Sequence, residues 1–109
     1  MSEPKAPQRR SEGNIVVQEK IRLKRPPMYA VILLNDDYTP MDFVTWVLQT
    51  VFFRSLEDAG RIMMEVHHNG KGIAGVFTHD VARTKVVQVE QMARKYEHPL
   101  ACLLEACEG

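Results

Sequence analysis

Asn35, Asp36 and Asp37 form a dense polar cluster. The nine residues from Leu34 to Asp42 hold one amide, three carboxylates, a threonine hydroxyl and a proline. A carboxylate only accepts hydrogen bonds, whereas an amide accepts at oxygen and donates twice at nitrogen. Together they suit a cationic donor such as an ammonium group. If extended backbone continues past Leu34, alternation sends Asn35 and Asp37 to one side and Asp36 to the other. The same residue types also close turns and cap helices, so a purely structural role is the competing reading.

His67 is the next candidate. It follows Met63 by four residues, so the two share a stripe if the segment is helical. A histidine there is either a packed structural residue or a ligand-facing acceptor. Met41, Val44 and Met63 present the same choice between core and an adaptable apolar pocket, for which methionine is suited. His67, His68, His79 and the Asp36/Asp37 pair are metal-ligand types. However, no HExxH or CxxC spacing is present, so no metal or cofactor is expected. A small metal-dependent or acid–base hydrolase using His67 with Asp36 or Asp37 is the alternative activity. There is no nucleophile motif, and Gly70-Lys71-Gly72 lacks the spacing of a phosphate loop. No catalytic residue is assigned.

Positioning these groups falls to a few short elements. Met28 to Leu34 is β-branched and apolar, which predicts a strand; its unbroken run Val31–Leu34 predicts cover on both faces or a place near the sheet centre. Thr39 as N-cap, Pro40 at the first helical position and Asp42 near the positive dipole end predict a helix from Pro40 to about Phe52. Its apolar face is Val44, Val47, Leu48 and Val51. Ser55 with Asp58 resembles a capping box for a second helix, from Leu56 to about His68. That helix has Leu56, Ala59, Ile62, Met63 and Val66 on one face, and Asn69-Gly70 ends it. A glycine-containing strand, residues 72–77, precedes a third helix. Thr78 caps this helix, and Ala82, Val86, Val89, Met92 or Ala93, and Tyr96 form its buried face. His98-Pro99 stops it, and 100–105 is a last strand. The order β-α-α-β-α-β predicts an α+β fold, a small three-stranded antiparallel sheet packed against three helices.

The 109 residues are one domain's worth, with 45% hydrophobic and 26% charged residues and no net formal charge. Residues 1–25 carry seven Lys/Arg against three Asp/Glu, and the remainder carries seven against eleven. A flexible, disordered N-terminal extension (1–25) is expected before a core domain (26–109), with Pro26-Pro27 at the boundary. The acidic core argues against nucleic acid as a partner. No run of about 18 apolar residues is present to span a bilayer, and the N-terminus has no secretory signal pattern. Cys102 and Cys107 make neither a disulfide framework nor a zinc pattern, which points to a reduced, cytoplasmic protein. Nothing in the sequence calls for a dimer, and a monomer is expected.

The run Val31-Ile32-Leu33-Leu34-Asn35-Asp36-Asp37-Tyr38-Thr39-Pro40-Met41-Asp42-Phe43-Val44 resembles the ClpS family of adaptors for the Clp AAA+ protease. So do Met63–His67, Gly70–Phe77, Arg83–Val86 and Glu97–Leu100, so the likeness spans nearly all of 26–106. The resemblance implies an adaptor with no catalysis of its own. Such an adaptor binds proteins whose first residue is Leu, Phe, Tyr or Trp, the N-degron signals, and hands them to the ClpA unfoldase for degradation by ClpP. It implies that Asn35, Asp37 and His67 hold the free α-amino group, with Asp36 in the same motif. Met41, Val44, Met63, Val66 and Leu100 would line the side-chain pocket, with Leu33 and Thr39 as neighbours and Met41 as a gate against β-branched residues. Asp80, where the family commonly has Glu, and Lys85 would face the unfoldase.

Overall fold

A computed structural model describes residues 25–108. The extension expected at 1–25 lies outside the described residues except for Arg25. The elements are β1 (Met28–Leu34), α1 (Met41–Thr50), α2 (Leu56–Asn69), β2 (Lys71–Thr78), α3 (His79–Lys95) and β3 (Ala101–Ala106), in the expected order. The sheet runs β2-β1-β3 with both pairings antiparallel. β1 is therefore central, as its unbroken apolar run predicts.

Alternation along β1 divides its side chains between two faces. Val31 and Leu33 enter the main core with Val47, Leu48, Ile62 and Val89. Ala30 and Ile32 are buried on the other face, flanked across the ladder by Val76, Ile73 and Leu103. Opposite Val31 and Ile32 the β1–β2 register slips by one residue. Ala74 is the extra residue, and it is fully buried. A bulge leaves a backbone group outside the ladder; here the Arg54 Nε–H donates to the Ala74 carbonyl at 2.9 Å.

The helix ends depart from expectation at Thr39. Pro40, not Thr39, occupies the N-cap position of α1, with extended backbone and no side-chain cap. The Thr39 hydroxyl donates instead to Asp36 Oδ2 at 2.8 Å. A bond to an ionised carboxylate is stronger than one accepted from a neutral amide, so Asp36 takes the hydroxyl. Thr78 sits at the N-cap of α3 but likewise makes no side-chain cap bond. The Ser55 cap is made: Ser55 Oγ accepts from the Asp58 N–H at 3.0 Å. Gly70 closes α2 in the left-handed region, at φ 88.

Two expected core residues lie outside the core. Leu56, in the first turn of α2, is largely exposed, and Tyr96 is half-exposed beyond the last turn of α3. Tyr96 instead joins an aromatic group with Phe43 and Trp46, at ring separations of 5.9 and 5.4 Å. Cys102 packs against the core and Cys107 is exposed; both are free thiols. Burial, with Glu90 nearby, pushes the Cys102 thiol up to about 11. No helix among the described residues is long and apolar enough to cross a membrane.

Candidate functional site

β1 delivers Asn35 to the start of a tight polar loop. The Asn35 N–H continues the β1–β2 ladder by donating to the Gly70 carbonyl at 2.9 Å. Gly70 is the C-cap of α2, so this bond draws the last turn of α2, with His67, towards Asn35. A side chain added at Gly72, one step into β2, would come within 2.9 Å of Val66. Glycine there lets the strand lie against that same last turn.

Asp36 closes the loop. Its Oδ1 accepts from the Tyr38 and Thr39 N–H groups at 2.8 and 2.7 Å, and its Oδ2 accepts the Thr39 hydroxyl. Burial alone would push this carboxyl up. The three bonds and the nearby His98 outweigh that and hold it below its ordinary value. Both Asp36 oxygens are thus engaged within the loop, which leaves that carboxylate poorly placed to act as a hydrolytic base. Among the described residues, the side chains of Asn35 and Asp37 take no hydrogen bond from within the chain and are exposed. Strand geometry ends at Leu34, so alternation does not set these side chains apart; what distinguishes Asp36 is that its carboxylate is engaged within the loop.

A cavity of about 220 Å³ opens at this junction. Its polar lining is Asn35, Asp36, Asp37, Thr39 and His67, and its apolar lining is Met41, Val44, Met63 and Val66. It is smaller than the roughly 300–1,000 Å³ of drug-sized sites and fits the scale of one side chain. Met41 is 44% exposed at the first residue of α1, whereas Val44 and Val66 are buried. Leu33 and Leu100 are not brought to the cavity wall. Both are core residues at 0% and 4% exposure, because their positions point between the sheet and the helices. Among the described residues no group of three or more His, Cys, Asp or Glu could hold a metal ion.

Asp80 and Lys85 are not brought together. They are five residues apart on α3, about 140° around the helix. The Asp80 side chain is fully exposed, 3.9 Å from His79. The Lys85 ammonium donates to the Val51 carbonyl at 2.7 Å, at the end of α1. Sequence reasoning missed the supporting part of His98. It stacks edge-on against Phe43 at 4.5 Å and lies near Asp36. Its sequence signals were its place before Pro99 and within the family-like run Glu97–Leu100.

Residues 24–103 match the family model described as ATP-dependent Clp protease adaptor protein ClpS. The chain belongs to the ClpS family. The ATP-dependent Clp protease adapter protein ClpS of Nitrosospira multiformis is 54% identical over 97 residues, covering 88% of this chain and 95% of that one. Its counterpart in Phenylobacterium zucineum is 53% identical over 91 residues, covering 84% of each. Among solved structures, Agrobacterium tumefaciens ClpS2 bound to L-phenylalaninamide is similar, with a TM-score of 0.73 and 40% identity. That match covers 76% of this chain and all of the other. ClpS proteins are Clp protease adaptors, and this family membership agrees with the fold.

Proposed function

We propose that this chain binds proteins bearing Leu, Phe, Tyr or Trp as first residue and delivers them to the ClpA unfoldase for degradation by ClpP. The observation that carries the reading is one cavity with free acceptors on one side and apolar walls on the other. The ligand of the Agrobacterium relative, a phenylalanine amide, has a free α-amino group beside an apolar side chain. That is the chemistry of a protein's first residue.

An α-ammonium has three N–H donors and no acceptor. In this reading Asn35, Asp37 and a neutral ring nitrogen of His67 receive them, and Asp36 shapes the loop that presents the first two. The first side chain enters between Met41, Val44, Met63 and Val66, with Met41 disfavouring β-branched residues. Burying Leu or Phe contributes about 1.5–3 kcal/mol. An internal residue offers one uncharged N–H, so each acceptor left unpaired costs about 1–3 kcal/mol. Selectivity for true N-termini follows from that penalty. The adaptor acts as a cytoplasmic monomer, and its N-terminal extension, Asp80 and Lys85 serve delivery.

The test compares a labelled peptide beginning with Leu or Phe with the same peptide N-acetylated. The free amine is expected to bind at least about 100-fold more tightly, the loss of two bonds to a charged group. Equal binding of the two would refute the reading.

A further inference from the structure

The sequence holds six methionines, and among the described residues two of them are exposed. Met41 is 44% exposed and Met64 is 40% exposed. They meet water almost equally and differ in what lies beside them. Met41, the first residue of α1, lines the cavity. Met64 is on α2 and is not part of the cavity wall. Met63 lines the cavity too, but it is half-buried and packs against the core. The remaining apolar lining, Val44 and Val66, is buried and carries no oxidisable group. Met41 is therefore the one cavity residue among those described that offers an exposed thioether.

The two thiols stand apart from this site. Burial pushes Cys102 up to about 11, which keeps it as the less reactive protonated thiol. Cys107 is exposed, but its N–H donates to the Met28 carbonyl at 2.8 Å, at the start of β1. The cavity lies past the other end of that seven-residue strand, roughly 20 Å away.

We propose that Met41 is a peroxide-oxidation site and that its sulfoxide weakens recognition of apolar first residues. This control acts on the cavity and rests on the degron role proposed above. The oxidant is hydrogen peroxide. The thioether sulfur attacks one peroxide oxygen, an S–O bond forms and the O–O bond breaks. The proton on the transferred oxygen passes to the departing hydroxide, which leaves as water. Sulfur loses two electrons and the peroxide gains them. The product replaces a flexible apolar side chain with a polar one. A first side chain entering the cavity then strips water from the sulfoxide oxygen, and a polar group desolvated against an apolar one is unfavourable. Sulfoxide reductases, one for each epimer, reverse the change, so the site works as a switch.

The experiment treats the full chain with hydrogen peroxide and then with dithiothreitol, which reduces cysteine disulfides and sulfenic acid but leaves methionine sulfoxide. Peptide mapping by mass spectrometry locates the added oxygen. Fluorescence anisotropy gives the affinity for a Leu-initiated peptide, and a thermal scan gives Tm. The proteins are wild type, Met41→Leu and Met64→Leu, each compared with its own untreated form. Wild type and Met64→Leu should gain oxygen at Met41 and lose about tenfold in affinity, with Tm little changed. Treated Met41→Leu should bind as its untreated form does. The two sulfoxide reductases together should restore wild-type binding. Oxidation at Met64 with none at Met41 overturns the proposal. So does an equal loss in Met41→Leu, or a loss that follows a fall in Tm. An untreated wild type that binds the free and N-acetylated peptides equally removes the degron reading along with this one. Selective binding that survives full oxidation of Met41 removes this one alone.

Discussion

The two ends of α1 present opposite kinds of unused surface. Before its N-terminus, Asp36 is satisfied within its loop while Asn35 and Asp37, unbonded among the described residues, line a cavity that also has apolar walls. Beyond its C-terminus the polar group, Lys85, is satisfied and the apolar one, Phe53, is left in water. In each place one residue that could have bound a partner is used internally to hold a neighbour outward. Buried polar groups find partners because leaving them unmet is costly. Exposed groups carry no such penalty, so what is left unmet at the surface is available for recognition. One end leaves acceptors exposed, and the other leaves an aromatic ring exposed.

Removing a free acceptor should have the largest effect. Asn35→Ala or Asp37→Ala each deletes a bond to a charged group, worth about 1.5–3 kcal/mol, and should weaken binding of a Leu-initiated peptide roughly 10- to 100-fold in a fluorescence anisotropy titration. Neither should lower Tm appreciably, since both side chains are exposed. A stability loss as large as the binding loss would erase the distinction between free and structural acceptors.

Lys85→Met should behave the other way. It removes the bond to the Val51 carbonyl and should cost about 1–2 kcal/mol in a denaturant titration, with peptide affinity unchanged. Unaltered stability would show that the ammonium is not held there in solution.

Met41→Ala tests the gate. Met41 is half-exposed, so truncation should cost less than about 1 kcal/mol of stability. Binding of Ile- and Val-initiated peptides should rise relative to Leu, read as a ratio of dissociation constants. An unchanged ratio would remove Met41 from specificity.

The smallest effect expected is the pH response of the Asp36 loop. The folded carboxyl lies below its ordinary value of 3.8. Its contribution is therefore complete above that value and is lost as pH falls through the lower folded value. In acid titrations of Tm, wild type should exceed Asp36→Asn at neutral pH, and the gap should close below about pH 4. A constant gap would mean that the carboxylate charge does not hold the loop.

Much of this was legible before any coordinates. The central place of β1 followed from the unbroken run Val31–Leu34, and the end of α2 from Asn69-Gly70. The errors share one cause. Thr39 was read as a helix cap, and Leu56 and Tyr96 as core. Each choice depended on which neighbour lay closest in space. Local propensity cannot rank a carboxylate three residues back against a helix amide, or a core position against a surface one.

The sequence by itself determined the elements, their order, the family and the loop that carries the acceptors, because periodicity, caps and turn chemistry are local. Only the tertiary structure decided that a bond from Asn35 to Gly70 brings His67 to that loop, and that Lys85 is occupied while Phe53 is not. Asn35 and Gly70 are far apart in the chain, as are Lys85 and Val51, and no spacing rule reaches across such intervals. Packing of the sheet against the helices sets those distances, and with them which polar groups are satisfied and which remain free to bind.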